Sequence, residues 1–249
     1  MGPKTLCTYS KAVYRRFPIY QNHHKKHEKA FSNYTFWSIL EDNKHNIWLG
    51  TNGSGIIVYD FQEKKYIQVE SEAIRNAIVI NLFQDSKGTI WAGTRTHLLK
   101  IQNLKAEIVQ VGDFSKLSVH TIMEDEKGLL WLGTRGNGLV VIKKSGEIVK
   151  QYTTENGLAS NLIYSLLIDT DNIFWVATAK GLFILKEDEF IPQPLTAITT
   201  NPFPIVTTIY QDEKEKVTWV GTDEGLVYLQ GSKQFFNLLN TFFEEKKLK

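Results

Sequence analysis

The sequence predicts an all-β fold, and three observations support this prediction. An aspartate, a short polar stretch, a tryptophan and a small-residue–threonine pair, usually glycine-threonine, recur five times along the 249 residues. Successive tryptophans of this repeat lie 43, 40, 44 and 44 residues apart. Between these anchors, apolar and polar residues alternate with period two over short runs, which is typical of strands rather than helices. Four short antiparallel strands in a repeat of about 43 residues predict the blade of a β-propeller.

The third repeat shows the four strands of a blade most clearly. Its first strand is expected at 119–125 and its second at 129–134, joined by a tight turn. A third strand follows at 138–142 and a fourth at 147–152. Five recognisable repeats are expected in all, approximately at 31–70, 74–112, 117–153, 158–194 and 201–240.

The two ends of the chain differ from the repeats. Residues 1–30 form an N-terminal segment, in which residues 5–20, centred on 13–17, are expected to form the outer strands of a preceding partial blade. Residues 241–249 form a charged tail. These ends favour the interpretation that the five repeats are an incomplete part of a larger propeller. The alternative is ring closure, either with five blades or with the N-terminal strands helping to build an extra one.

Each repeat has two structural anchors, an aspartate and a tryptophan. The carboxylate is expected to cap backbone N–H groups of the turn, and the indole to fill the interface with the adjoining blade. Gly88 and Gly128 supply a positive φ in two of the turns; repeats one, four and five lack this glycine, so their turns are expected to be looser or of another type. The glycine after the tryptophan allows close approach of backbones. The anchors are Asp42 and Trp48, Asp85 and Trp91, Asp125 and Trp131, Asp169 and Trp175, and Asp212 and Trp219.

Two columns of residues precede the aspartates in the first strand of each repeat. Alternation predicts that both columns lie on the same face of that strand, with the small polar column in the crowded innermost layer of the propeller. The small polar residues are Ser38, Asn81, Thr121, Ser165 and Thr208, and the apolar residues two positions earlier are Phe36, Val79, Val119, Ile163 and Val206.

Several stretches of the chain resemble a known repeat family. These stretches are residues 31–42 running into 46–55, and residues 156–165. They resemble two-component regulator propeller repeats. The repeats of that family have a leucine-serine-asparagine run, a valine-tryptophan-serine-isoleucine strand, an aspartate turn and a tryptophan-isoleucine-glycine-threonine segment. The resemblance covers residues 31–240. It implies the sensor region of a bacterial hybrid two-component system, which lies outside the inner membrane, binds a glycan or similar ligand, and passes the signal to domains absent from this chain.

Candidate recognition residues lie where the repeats differ from one another. Trp37, His120 and Tyr164 precede the small polar residue, and their rings could stack on a sugar or bind its hydroxyls. Packing between blades is the alternative explanation. Arg95 and Arg135 directly follow glycine-threonine pairs, at a loop position whose charge varies among the repeats. Such variation is how a repeat scaffold would encode a binding surface, although ordinary surface drift gives the same pattern.

No cofactor, metal or catalytic residue is expected. His23, His24, His27 and Glu28 would cluster on a helix, but neighbouring lysines repel a cation and favour a solvated loop. The periodic recurrence of the aspartates favours turn capping over calcium binding or catalysis. The sequence has no Gly-x-Ser-x-Gly elbow and no phosphate-binding glycine loop, and Cys7 has no identifiable base. A non-enzymatic protein is therefore predicted; a propeller-fold lyase or hydrolase, and a protein–protein interaction scaffold, are the alternatives.

The composition limits the partners and the location of the protein. Lysine and arginine number 29 against 27 acidic residues, and this balance does not argue for nucleic-acid binding. No signal peptide is expected, because basic residues interrupt the first twenty, and no window approaches the roughly 18 apolar residues of a membrane span. The expected partners are an oligosaccharide or other small ligand and further propeller blades or sensor domains. The resemblance implies a periplasmic location, whereas the chain taken as complete would be cytoplasmic.

Overall fold

The computed structural model describes residues 34–195, 200–230 and 234–237. Within these residues it contains twenty β-strands arranged in five four-stranded antiparallel sheets. Within each sheet, strands that are consecutive along the chain are hydrogen-bonded neighbours. This up-and-down order is that of a propeller blade, so the predicted all-β propeller fold is confirmed. The strands expected within residues 5–20 and the tail 241–249 lie outside the described residues.

The boundary between two compact units falls between Val119 and His120. The first unit contains two blades. Blade 1 consists of β1 (Phe36–Glu41), β2 (Ile47–Thr51), β3 (Ile56–Asp60) and β4 (Lys65–Gln68). Blade 2 consists of β5 (Val79–Gln84), β6 (Ile90–Thr94), β7 (Leu98–Gln102) and β8 (Lys105–Val109).

The second unit contains three blades, the first of which begins at the boundary. Blade 3 consists of β9 (Val119–Glu124), β10 (Leu130–Thr134), β11 (Leu139–Ile142) and β12 (Ile148–Tyr152). Blade 4 consists of β13 (Ile163–Ile168), β14 (Phe174–Thr178), β15 (Gly181–Lys186) and β16 (Glu189–Gln193). Blade 5 consists of β17 (Val206–Asp212), β18 (Val217–Thr222), β19 (Gly225–Gln230) and β20 (Gln234–Asn237).

The described residues contain one short helix, a single 3-10 turn at Thr154–Asn156 between blades 3 and 4. In this part of the chain, no helix has the length and apolar character needed to cross a membrane.

In blades 1 and 2, burial is greatest in the second strand and least in the fourth. All five residues of β2 and of β6 are buried, whereas β4 and β8 are mostly exposed or half-buried. Blade 4 shows why the second strand is apolar on both faces. Phe174 and Val176 pack in a cluster with blade 3, whereas Trp175 and Ala177 pack in a cluster with blade 5. A strand covered on both faces has no polar face to alternate.

Three of the anchor tryptophans, Trp48, Trp131 and Trp175, lie in the interfaces between adjacent blades of a unit. In the first unit, Trp48 and Val58 of blade 1 pack in one cluster with Val79 and Ile101 of blade 2. In the second unit, the ring of Trp131 in blade 3 lies 4.8 Å from the ring of Phe174 in blade 4. The large aromatic side chain therefore fills the space between two sheets, as the sequence analysis expected.

A β-bulge at the start of the first strand separates the two columns that were expected to share a face. Phe36 pairs with Thr51 and Ser38 pairs with Gly50, which leaves Trp37 as the extra residue. Because Thr51 and Gly50 are consecutive, their side chains point to opposite faces, and so do those of their partners. The prediction of a common face is therefore wrong. The described registers show the same bulge at Ile80, Tyr164 and Thr207.

The glycine after each tryptophan lies opposite the small polar residue of the first strand. A Cβ atom at Gly133 would lie 2.4 Å from Cγ2 of Thr121 and 2.8 Å from Cγ2 of Ile163 in blade 4. The position is therefore restricted both by its own sheet and by the next one. In blade 4 the equivalent residue is Ala177, and its partner is the smaller Ser165.

In blades 1 to 4, the aspartate uses both carboxylate oxygens in its turn. In blade 2, Oδ1 of Asp85 accepts hydrogen bonds from the backbone N–H groups of Lys87 at 3.0 Å and Thr89 at 2.9 Å. Oδ2 of Asp85 accepts a hydrogen bond from Nε1 of Trp91 at 3.0 Å. The same indole bond joins the anchors of blades 1, 3 and 4 at 2.8, 2.9 and 2.7 Å. The aspartate therefore caps the turn, as expected, and also orients the tryptophan, which the sequence analysis missed.

Blade 5 departs from this arrangement. Its anchors, Asp212 and Trp219, are seven residues apart instead of six. Oδ1 of Asp212 accepts hydrogen bonds from the backbone N–H groups of Lys214 and Glu215, so the turn is capped over a different pair of residues. The ring of Trp219 lies 5.2 Å from that of Tyr228 in the same blade.

The turns of repeats one and four are of the same type as the turns with glycine. The third residue after the aspartate has a positive φ in all four, 66° at His45, 83° at Gly88, 76° at Gly128 and 60° at Asn172. The N–H of this residue donates to the aspartate carbonyl at 2.9 to 3.0 Å in each case. The prediction of looser or different turns is wrong for repeats one and four, since asparagine tolerates this conformation and His45 is held by its 2.7 Å contact with Glu41.

Candidate functional site

The five candidate recognition residues all lie at one edge of their sheets. We call this the start edge, where the first strand of a blade begins and the second strand ends. Trp37, His120 and Tyr164 are the second residues of β1, β9 and β13, and Arg95 and Arg135 directly follow β6 and β10. The first two strands of a blade are antiparallel, so these two kinds of position are adjacent.

In the first unit, the bulge turns Trp37 out of the sheet and places it beside Arg95. Trp37 is 45% exposed, whereas the anchor tryptophans Trp48 and Trp91 are 6% and 0% exposed. The guanidinium carbon of Arg95, which belongs to blade 2, lies 5.6 Å from the centroid of the Trp37 ring, within cation–π distance. Bulges re-aim side chains in this way near functional sites. The pair presents an apolar ring and a cation side by side.

In the second unit, the structure brings His120 of blade 3 and Tyr164 of blade 4 together. Their ring centroids are 5.9 Å apart, with an interplanar angle of 40°. The backbone of Arg135 forms an isolated antiparallel bridge with Leu162, two residues before Tyr164. Each of the two pairs, Arg95 with Trp37 and His120 with Tyr164, therefore joins adjacent blades at the start edge.

The loop position after the glycine-threonine pair has a fixed backbone and a variable side chain. Its N–H donates a hydrogen bond to the carbonyl of the residue before the first strand of the same blade. The bonds are Asn52 to Thr35 at 2.8 Å, Arg95 to Ile78 at 3.3 Å, Ala179 to Leu162 at 3.1 Å and Asp223 to Ile205 at 3.0 Å. The threonine before this position has a role that the sequence analysis missed. Its hydroxyl donates to a carbonyl at the far end of the loop in every blade, at 2.7 to 3.0 Å. The side chain at this position can therefore change while the loop keeps its shape.

Two carboxylates at the start edge of blade 5 accept hydrogen bonds from other residues of the chain. Glu224 accepts hydrogen bonds from the hydroxyl and backbone N–H of Thr200, at 2.8 and 2.7 Å, and from the N–H of Asn201 at 3.2 Å. The hydroxyl bond from Thr200 is the main cause that lowers the pKa of Glu224. Asp223 accepts a hydrogen bond from the N–H of Ile205 at 2.9 Å. These acids stabilise the loop that precedes blade 5.

A second cluster of ionisable side chains, which the sequence analysis missed, ties blade 3 to blade 4. The hydroxyl of Tyr152 donates to Oδ1 of Asp188 at 2.5 Å, and Nζ of Lys150 lies 2.6 Å from Oδ2 of Asp188. The bond with Asp188 raises the pKa of Lys150, and the bond with Lys150 lowers the pKa of Asp188. Burial is the main cause that raises the pKa of Tyr152. These directions keep Tyr152 neutral and Lys150 and Asp188 charged at neutral pH. The cluster therefore links the two blades and does not act as an acid–base pair.

Side chains of the types that bind metal ions do not cluster in the part of the chain that the structure describes. Across residues 34–195, 200–230 and 234–237, no group of three histidine, cysteine, aspartate or glutamate side chains is placed to hold a metal ion. The cluster of His23, His24, His27 and Glu28 lies outside these residues.

Comparison with protein families identifies four of the five repeats. The model described as "Two component regulator propeller" matches residues 30–53, 74–96, 113–136 and 157–180. These segments contain the first two strands of blades 1 to 4 together with the aspartate turn between them. The fifth repeat, in which the spacing from aspartate to tryptophan is one residue longer, is not among the matched segments.

Known proteins similar to this chain include parts of two-component systems. Histidine kinase P4 of Formosa agariphila is 34% identical over 157 residues, which cover 57% of this chain and 11% of that protein. The extracellular domain of a B. thetaiotaomicron protein described as a hybrid two component system is 25% identical, with a TM-score of 0.69 over 84% of this chain and 29% of that one. Virginiamycin B lyase from Staphylococcus aureus is 15% identical with a TM-score of 0.63 over 80% of this chain and 68% of that one, a likeness that shows the fold alone. The chain covers less than a third of the length of each of the first two relatives. Four repeats of this chain match the two-component regulator propeller model, as the resemblance in the sequence predicted.

Proposed function

We propose that this chain is the ligand-sensing part of a two-component regulator, without enzymatic activity, and that it binds a saccharide at the start edge. The observation that carries this proposal is the exposed ring of Trp37, turned outward by a bulge and accompanied by the guanidinium of Arg95. The similarity to a histidine kinase and to the extracellular domain of a hybrid two component system supports the sensor role.

The chemistry of the start edge suits a sugar. The apolar C–H face of a sugar ring packs on an exposed indole, and the N–H groups of a guanidinium donate hydrogen bonds to ring hydroxyls. In the second unit, the pair of His120 and Tyr164 offers the same combination of ring surface and polar atoms. Binding affects a connected domain only through the difference in affinity between two states of the sensor. The proposed signal is therefore a ligand-dependent change in the equilibrium of domains outside this chain.

A periplasmic location is part of this proposal. The similar B. thetaiotaomicron structure is an extracellular domain, and a sensor of external saccharides has to meet its ligand outside the inner membrane. Fractionation of cells that produce the natural protein, with immunodetection of this chain, tests the location. Recovery in the cytoplasmic fraction alone would contradict it.

Isothermal titration calorimetry against a panel of neutral and acidic oligosaccharides tests the binding site. We expect at least one saccharide to bind, and Trp37→Ala to reduce its affinity about tenfold, because an aromatic contact contributes on the order of 1.4 kcal/mol. Arg95→Ala should weaken the same ligand. Ile108→Ala is the matched control, because Ile108 is also an exposed apolar residue but lies on the outer strand β8. The absence of heat with every saccharide, or equal affinity in Trp37→Ala and the original protein, would refute the assignment.

A protein–protein interaction scaffold is the second candidate, because blade 5 exposes apolar residues at its start edge. Phe203 is 39% exposed and Ile205 is 36% exposed, and a cluster of exposed apolar side chains is typical of interaction sites. A partner protein that is lost from the double variant Phe203→Ser and Ile205→Ser, and kept by Trp37→Ala, would favour the scaffold. The lyase alternative is supported by likeness of fold alone.

A further inference from the structure

A cleft of about 520 Å³ lies between blades 1 and 2, at the opposite end of the strands from Trp37. We call this end the turn edge; its lining comes from the turns β1–β2 and β3–β4 of blade 1 and β5–β6 and β7–β8 of blade 2. The volume falls within the range of roughly 300 to 1,000 Å³ of small-molecule sites. Neither the family match nor the proposed function assigns this cleft a role.

The floor of the cleft is apolar but little of it is accessible. Trp48, Val58 and Ile67 are direct cross-strand neighbours on β2, β3 and β4. They face Ile90 and Ile101, which pair with each other on β6 and β7. Of these five residues only Ile67 is half-buried, and the others are buried. A ligand that binds mainly through apolar side chains would find little surface here.

The accessible part of the cleft is polar and rich in side-chain amides. A side-chain amide both donates and accepts hydrogen bonds, as a ligand hydroxyl does, so these residues suit a polyhydroxylated ligand. The exposed polar residues of the lining are Asn43, Lys44, Gln62, Lys87, Gln102 and Asn103.

The walls of the cleft are held together by a buried amide. Oε1 of Gln84 accepts a hydrogen bond from the N–H of Asn43 at 2.8 Å, and Nε2 of Gln84 donates to Oδ1 of Asn43 and to the carbonyl of Gly88, both at 3.3 Å. Gln84 thus links the β1–β2 turn of blade 1 to the β5–β6 turn of blade 2. A site whose walls are already fixed loses less entropy when it binds.

The lining of the cleft carries two aspartates and two lysines, and the lysines are the exposed pair. The oxygens of Asp42 accept four hydrogen bonds, from the backbone of Lys44 and Asn46 and the side chains of Asn46 and Trp48. Oδ1 of Asp60 accepts two backbone hydrogen bonds, at 2.9 and 3.0 Å. Lys44 and Lys87, by contrast, extend from exposed turns on the two sides of the cleft. A ligand carboxylate between these ammonium groups would be attracted to both.

We propose that this cleft binds an acidic saccharide of the uronate type. Its hydroxyls are bound by the amides of Gln62, Gln102 and Asn103, and its carboxylate lies near Lys44 and Lys87. The site is separate from the start edge and does not depend on the function proposed for Trp37.

The indole N–H signals of a ¹⁵N-labelled sample test the two sites in one titration. The chain has six tryptophans; Trp48 lines the cleft and Trp37 lies at the start edge, and their signals are assigned from Trp48→Phe and Trp37→Phe. The probe is trigalacturonate, with neutral cellotriose as the matched saccharide. We expect a saturable shift of the Trp48 signal with trigalacturonate and none with cellotriose. An unchanged Trp48 signal, or an equal shift with cellotriose, overturns the proposal.

Substitution of the two lysines tests the role of charge. The double variant Lys44→Gln and Lys87→Gln should lower the affinity measured from the Trp48 signal about tenfold, because both charged contacts with the ligand carboxylate are lost. The control is Lys127→Gln, since Lys127 has the same turn position in blade 3 as Lys87 has in blade 2; it should stay within about twofold of the original affinity. Undiminished affinity in the double variant contradicts the proposal. A response of Trp37 alone supports the start edge and refutes the cleft. A response of Trp48 alone supports the cleft, and the start edge is then judged by the calorimetric panel.

Discussion

The bond between aspartate and tryptophan within a repeat makes a specific prediction for Asp85→Asn. Asparagine has the shape of aspartate and keeps one oxygen, which can still accept from the backbone N–H groups of Lys87 and Thr89. Its NH₂ group then faces Nε1 of Trp91, which lies 3.0 Å from Oδ2 in the original protein. The NH₂ group and the indole N–H are both donors, so the hydrogen bond that Oδ2 accepted from Trp91 is lost. The flipped amide is no better, because its NH₂ group would face the two backbone donors.

The burial of both residues sets the size of the effect. Asp85 is 2% exposed and Trp91 is 0% exposed, so water cannot replace the lost acceptor. A buried polar group without a partner costs about 1 to 3 kcal/mol, and hydrogen bonds to charged groups contribute more than neutral ones. We therefore expect Asp85→Asn to lower the free energy of unfolding by about 2 to 3 kcal/mol.

Urea denaturation followed by circular dichroism measures this change as a shift of the midpoint at constant m-value. Asp212→Asn is the matched control, because the described bonds of Asp212 are to the backbone of Lys214 and Glu215, which an asparagine oxygen also accepts. It should change the free energy of unfolding by no more than about 0.5 kcal/mol, since asparagine and aspartate cap backbone donors almost equally well. A loss below about 1 kcal/mol for Asp85→Asn, or equal losses in both variants, would refute the argument.

Three further predictions concern the interfaces between blades of the second unit. Trp131→Ala should destabilise by about 3 kcal/mol, the lower end of the range for a large aromatic residue, because Trp131 is half-buried; a loss below about 1 kcal/mol in urea denaturation would contradict its placement between blades. Gly133→Ala should cost about 1 to 3 kcal/mol through overlap with the Thr121 methyl group, and Thr121→Ser should recover part of this loss; equal stability of the single and double variants would contradict the cause. Asp188→Asn should destabilise at neutral pH. Because the bond with Lys150 lowers the pKa of Asp188, the difference between the two proteins should disappear as the pH falls below about 4 and through the folded-state pKa, and a difference that persists in acid would exclude this explanation.

The repeat pattern was sufficient to predict the blades, because each strand and turn has a residue signature that recurs with a constant period. The first-strand bulge has no such signature. Its extra residue is Trp37, Ile80, Tyr164 or Thr207 in different blades, so side-chain type does not report the change in backbone twist. Simple alternation therefore placed the apolar and small polar columns on the same face.

The left-handed turn residues show a second limit of sequence reasoning. Glycine and asparagine indicate a positive φ, whereas histidine does not, and His45 adopts this conformation beside Glu41. The tie between Lys150, Tyr152 and Asp188 was hidden for another reason. Asp188 lies 36 residues after Tyr152 in the next blade, and only the folded structure brings the two together. Contacts that do not repeat leave no periodic signal.

The fixed backbone at the loop after each glycine-threonine pair has a consequence for how binding specificity can change. The hydrogen bonds that hold Asn52, Arg95 and Ala179 use only main-chain atoms, so replacing one of these side chains leaves the loop in place. Blades 1, 2 and 4 can therefore each acquire a new charge or ring by a single substitution, whereas in blade 5 the carboxylate of Asp223 also binds the N–H of Ile205. A library of variants at these positions should retain the fold while sampling many ligand specificities, which makes the start edge a suitable region for engineering new sensors.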